Sequence, residues 1–283
     1  MSTKLMVGYD GSPAAGAAIT AGSALFPRAH AWVTHIWAPP FASVGLRRRL
    51  RDIAQNSDEL ATLVDSEGAW EAESVTDAGV ALARAAGWAA EKVVERTTDS
   101  DGMRLAQLAE QLQADALVIG DRGLDGTKDD IGGVCDMTVH YATVPVLVVP
   151  DPLLRSEFDA LADGPVLVGY DRSDRAEAAI AKVRQLFPGR RIVLAAVRDD
   201  DEPFAPGPAA EGLEVVTVDK PSGFAKPRDR LIAEALIACA DDHNAAVVAV
   251  AAKGHSAVRE VLLGSVAVAT VRRCHRPVLV VHG

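Results

Sequence analysis

The chain repeats itself once, and a repeat of this length dictates that the same fold be built twice. Leu5-Met6-Val7-Gly8-Tyr9-Asp10-Gly11-Ser12 returns as Val166-Leu167-Val168-Gly169-Tyr170-Asp171-Arg172-Ser173. Ala24-Leu25-Phe26-Pro27 returns as Gln185-Leu186-Phe187-Pro188, and Pro145-Val146-Leu147-Val148-Val149 as Pro277-Val278-Leu279-Val280-Val281. The matches keep their order and mark the start and end of each unit. Residues 1–150 form unit one, the polar, proline-flanked stretch 151–163 reads as a linker, and residues 164–283 form unit two.

Within unit one, short apolar runs alternate with amphipathic ones, the pattern of a parallel sheet with crossover helices. Strands are expected at about 4–9, 31–37, 89–96, 116–119 and 146–149. A helix over 13–26 starts with Ser12 as N-cap and Pro13 in the first turn, where its missing N–H costs nothing. A long helical region spans about 46–86, and a further helix about 101–113. Unit two departs in one place. After its second strand, four consecutive acids and three prolines (Asp199 to Pro208) lead almost at once to Leu213-Glu214-Val215-Val216-Thr217-Val218. Such a stretch cannot form the second crossover helix, so one face of that sheet is expected to be thinly covered.

Charge narrows the partners. The net charge of −10 argues against nucleic acid or an anionic membrane surface as the main ligand. Residues 1–150 carry 12 Lys+Arg against 20 Asp+Glu, while residues 164–283 carry 16 against 15, so an anion meets less repulsion in unit two. No apolar run approaches the roughly 20 residues of a transmembrane helix, and the start of the chain lacks a secretory pattern, which points to the cytoplasm. Three scattered cysteines, Cys135, Cys239 and Cys274, form neither a disulfide framework nor a thiolate metal site.

The functional signal follows the fourth strand of each unit. Unit one reads Ile119-Gly120-Asp121-Arg122-Gly123, then nine residues, then Gly133-Val134-Cys135. Unit two reads Val250-Ala251-Ala252-Lys253-Gly254, then nine residues, then Gly264-Ser265-Val266. Glycine at a strand end lets backbone N–H groups approach phosphate, and a helix start beyond it adds further donors. Asp10 and Asp171, at the end of the first strand, face the same crevice at the sheet's switch point. Both aspartates also stand where they could simply cap the next helix.

This ordered set, repeated twice over nearly the whole chain, resembles the universal stress protein family. The resemblance implies an α/β fold of two open parallel five-stranded sheets in order 3-2-1-4-5, with helices on both faces. It implies binding of ATP, with Mg²⁺ as an accompanying ion, and pairing through the last strands as a homodimer or within the chain. Carried over, the nucleoside positions are Asp10, Ile36 and Gly120 in unit one and Asp171, Val197 and Ala251 in unit two. The phosphate positions are Gly123 and Gly133 in unit one, and Gly254, Gly264 and Ser265 in unit two, where Lys253 and Val266 complete the expected cofactor-binding set.

The copies depart differently. Unit one places Val134 where the family has Ser or Thr, and its loop holds Asp121, Asp125, Asp129 and Asp130 against Arg122 and Lys128. Two like charges ~4 Å apart at an effective dielectric of ~20 repel by ~4 kcal/mol. Unit two keeps Gly264-Ser265 with Lys253 and Arg259, but has Ala251 in place of the first glycine, and is the favoured triphosphate site. No nucleophile, base, arginine finger or Walker lysine loop stands out, so any ATP hydrolysis is expected to be slow. The competing reading is a partner-binding module of the same fold without nucleotide. His35 and the tryptophans Trp32 and Trp37 read as packing residues, and Arg47-Arg48-Arg49-Leu50-Arg51 as a solvated helix face or an anion site.

Overall fold

Helix starts show how closely the repeat governs local structure. The Ser12 hydroxyl accepts from the Ala15 N–H at 3.1 Å, and the Ser173 hydroxyl accepts from the Ala176 N–H at 3.2 Å. In the computed structural model, which describes residues 2–38, 44–122, 132–198, 207–219, 227–252 and 263–282, those caps open equivalent helices. Unit one comprises β1 (Lys4–Gly8), α1 (Pro13–Leu25), β2 (His30–Trp37), α2 (Val44–Ile53), α3 (Ser57–Ala85), β3 (Ala89–Arg96), α4 (Asp101–Gln111), β4 (Ala116–Gly120), α5 (Gly133–Tyr141) and β5 (Val146–Val149). Then follow α6 (Arg155–Asp163), β6 (Val166–Gly169), α7 (Asp174–Leu186), β7 (Ile192–Arg198), β8 (Glu214–Asp219), α8 (Arg228–Asp242), β9 (Val247–Ala251), α9 (Ser265–Arg273) and β10 (Val278–Val281).

Among the described residues, ten strands form one sheet in the order β3-β2-β1-β4-β5-β10-β9-β6-β7-β8. Each half is parallel in the expected order, and the two halves meet where β10 runs antiparallel to β5, with Leu279 opposite Leu147. The last strands thus pair within the chain. Both faces of the central strands are covered, which is why Val146 to Val149 and Val278 to Val281 are all buried and read as unbroken apolar runs. One apolar cluster on each face draws residues from both units. The repeated Leu-Phe-Pro motifs meet there: Phe26 and Phe187 stack with ring centroids 4.9 Å apart. Such a pair contributes ~1 kcal/mol beyond burial.

Three details differ from expectation. The long helical region is two helices, because Asn56 caps a second start by accepting from the Glu59 N–H at 2.9 Å. The stretch expected as a linker contains α6, which packs on α1 through the fully buried Leu161. Its Glu157 carboxylate accepts from the Leu154 N–H at 2.6 Å, fixing the helix entry. Between β7 and β8, the described residues hold only a 3-10 turn, Pro208–Ala210, in place of a helix like α3. The face it serves is still closed at β7, where Leu194 is fully buried in the cluster that contains Ala210 and Tyr170.

That turn is held in a specific way. The Tyr170 hydroxyl donates to Glu177 and accepts from the Gly207 N–H at 2.8 Å, while Glu177 also accepts from the Ala209 N–H at 2.6 Å. In unit one the matching tyrosine, Tyr9, lies instead under α3, where a Cβ on Gly79 would sit 2.6 Å from its ring. Among the described residues, no helix is long and apolar enough to cross a membrane.

Candidate functional site

A parallel sheet that reverses direction of winding leaves a crevice at the carboxyl ends of the strands on either side of the switch. In unit one that crevice lies between β1 and β4 and holds a pocket of ≈ 130 Å³. Asp10, Ile36 and Gly120, three of the expected nucleoside positions, line it together. Asp10 is fixed by its own turn: its Oδ1 accepts from the Ser12 N–H at 2.9 Å, across Gly11 in the left-handed region at φ 81°. Its place is therefore not that of the N-cap, which Ser12 fills. Gly120 has a packing reason to be glycine, since a Cβ there would lie 2.7 Å from the Ala14 carbonyl carbon.

Three further residues line the pocket that the sequence did not single out as a site: His35, Asp101 and Arg122. His35 is not a core residue. Its Nδ1 stands 2.8 Å from the Tyr9 carbonyl oxygen, and since a carbonyl only accepts, that nitrogen carries the hydrogen. Asp101 is the first residue of α4; burial pushes its carboxyl above the ordinary aspartate range, and the nearby His35 partly offsets this. The residue before Arg122 is acidic and equally constrained. Asp121 Oδ2 accepts from Arg122 Nε at 3.1 Å, while its Oδ1 is buried without a hydrogen-bond partner among the described residues. Burial raises the Asp121 carboxyl, and Arg122 opposes the shift. The Cys135 thiol, buried on the same wall, is pushed far up, first by burial and then by Asp121 and Asp136, which disfavours the thiolate.

A carboxyl whose folded-state pKa is raised contributes stability that is complete below the unfolded value and is lost as pH rises through the folded one. Asp101→Asn removes that dependence. The variant is expected to match the parent near pH ~4 and to melt at a higher temperature as pH rises towards 7. Thermal melts across this range test it, and parallel curves would contradict the assignment.

Helix caps correct the alignment of the two glycine loops. The N-cap of α5 is Gly132 and that of α9 is Gly264, with matching φ, ψ of −57°, 143° and −65°, 141°. Gly133 therefore takes the place of Ser265, and Val134 that of Val266, because the loop of unit one is one residue shorter. The first turn of α5 is open: a Cβ on Gly133 would meet nothing within 4 Å. In unit two, Asp171 is exposed, and its Oδ1 accepts from the Ser173 N–H at 3.0 Å and hydroxyl at 2.6 Å. Val197 and Ala251 end β7 and β9, and Ser265 starts α9. Ala196, Ile232 and Ala252 stand where unit one has His35, Asp101 and Asp121, so unit two has no counterpart of the pocket-lining Asp101 or of the neighbouring Asp121. Gly123, Lys253 and Gly254, with Arg259 and the acidic residues 125, 129 and 130, lie outside the described residues.

The profile of the universal stress protein family matches residues 1–150 and 226–282. The chain belongs to the universal stress protein family. A universal stress protein from Archaeoglobus fulgidus DSM 4304 superposes with a TM-score of 0.67 at 20% identity, covering 100% of this chain and 97% of that one. A functionally unknown protein from Pseudomonas aeruginosa PAO1 gives 0.56 at 10% identity, with 99% and 92% covered. A putative universal stress protein from Pseudomonas aeruginosa UCBPP-PA14 gives 0.55 at 11% identity, with 99% and 93% covered. At these identities the likeness is one of fold. No curated protein matches the sequence.

Proposed function

We propose that this universal stress protein is a cytoplasmic adenine-nucleotide sensor that signals through occupancy rather than turnover. The observation that carries the reading is the convergence of Asp10, Ile36 and Gly120 on one pocket at the switch point, with Val134 and Cys135 of α5 on its wall. The pocket of ≈ 130 Å³ is smaller than the ~300–1,000 Å³ of whole small-molecule sites, so in unit one it suits a single ring system. Phosphates would then lie outside it, over the open first turn of α5, where backbone N–H groups favour anions. Among the described residues no group of three or more His, Cys, Asp or Glu side chains could hold a metal. Mg²⁺ would accompany the nucleotide's phosphates as a cation that keeps much of its water.

Unit two remains the preferred triphosphate site. It offers a serine at the first position of α9 and has Ile232 where unit one lines its pocket with Asp101. Calorimetry with MgATP tests this. Gly264→Glu or Ser265→Asp is expected to weaken binding at least tenfold, ~1.4 kcal/mol or more. Full affinity in both variants would sink the unit-two assignment, and no heat in the parent would sink the nucleotide reading. Gly133→Ser, rather than Val134→Ser, is the change that copies the unit-two motif into unit one.

A further inference from the structure

Helix α2 carries Arg47, Arg48, Arg49 and Arg51 within five residues, in a chain whose net charge is −10. Arg47 and Arg51 are four residues apart, on one side of the helix, and both line a groove between α2 and α3 of ≈ 820 Å³. None of its lining residues belongs to the nucleotide cleft. The floor of the groove is apolar, formed by Leu60, Ala61 and Val64 of α3. Val64 is buried with Leu50, so the floor is held by the contact that joins the two helices. A third arginine, Arg96, reaches the groove from the end of β3, but Asp65 already binds its guanidinium at 2.6 Å.

Arg47 is in a different position. Its Nε is buried and, among the described residues, has no hydrogen-bond partner. A buried charged donor without an acceptor is costly, and like charges four residues apart on a helix repel each other. One oxyanion between Arg47 and Arg51 would remove both penalties, since a guanidinium matches a carboxylate or phosphate in two parallel hydrogen bonds. A small inorganic ion would leave the apolar floor wet. We propose that the α2–α3 groove binds a soluble amphiphilic anion, its carboxylate or phosphate head held by Arg47 and Arg51 and its hydrocarbon body lying on Leu60, Ala61 and Val64. The groove is of small-molecule size, which favours a free ligand over a membrane surface.

Decanoate is the probe. Calorimetry on the full chain is expected to give saturable one-to-one binding. Arg47→Gln combined with Arg51→Gln should weaken it about tenfold or more, ~1.4 kcal/mol. Ala61→Trp, which keeps both charges and fills the floor, should weaken it comparably, and decanol, without a charge, should not saturate. Undiminished decanoate binding in the double variant overturns the proposal. So does displacement of decanoate by inorganic phosphate at equal concentration, or absorption of the chain to anionic phosphatidylglycerol vesicles without any saturable binding of decanoate. The outcome stands whatever MgATP does at the other cleft.

Discussion

Gly102→Val is expected to lower the stability of the chain by ~3 kcal/mol, and with it the melting temperature by roughly 6–12 °C. Gly102 is the second residue of α4, where that helix crosses α5. A Cβ at this position would lie 2.5 Å from the Val134 carbonyl oxygen, 2.7 Å from Met137 Cβ and 2.9 Å from the Thr138 nitrogen. Two of those three atoms are backbone, so no rotamer change relieves the clash and the helices must part. The crossing is also tied by Thr138, whose hydroxyl stands 2.7 Å from the Val134 carbonyl and 3.2 Å from that of Gly102. Because Asp101 and the first turn of α5 move with the crossing, binding in the unit-one cleft should fall too. Denaturation midpoints within error of the parent would show that α5 yields more easily than its packing implies. Unit two has Ala233 at the equivalent point, so a methyl is tolerated between α8 and α9.

The other large effect is expected at the seam of the two halves. Leu279 is fully buried, and its register partners are Leu147 on β5 and Ala249 on β9. Leu279→Asp puts a carboxylate between strands whose two faces are both covered. An unpaired buried charge of this kind costs ~4 kcal/mol or more, the upper end of single-substitution effects. The damage is directional. Loosening β10 from β5 exposes two strand edges, and open edges pair with other chains. The variant should therefore unfold at lower denaturant and sediment as a concentration-dependent mixture. A monodisperse, equally stable variant would mean that the seam does not hold the halves together.

Much of this was legible in the sequence because burial on both faces produces uninterrupted apolar runs, and the serine caps are local. β3 and β5 lie where periodicity placed them, and Ser12 opens its helix as expected, a role that Ser173 repeats in unit two. What was not legible depends on partners distant in the chain. Helix α6 hides inside a short polar stretch because one side only, Ala160 and Leu161, meets the core. The break before α3 rests on one asparagine side chain. His35 reads as a core histidine from the apolar strand around it, yet at the carboxyl end of β2 His35, Ile36 and Trp37 are all only partly buried. Asp101 gave no signal, because its importance comes from the β2 residue opposite it. The glycine loops were matched by equal spacing, and only the backbone angles of Gly132 and Gly264 reveal the one-residue difference.

Joining β5 to β10 within one polypeptide removes dilution as a variable. Two separate subunits associate according to their concentration, whereas tethered halves meet at an effective concentration fixed by the connection between them. Identical partners would also exchange, so any difference between their clefts would be averaged over the population. Here the acidic, His35-bearing cleft is permanently yoked to one with alanine and isoleucine in the matching places. Each molecule thus carries one of each kind in a fixed one-to-one ratio.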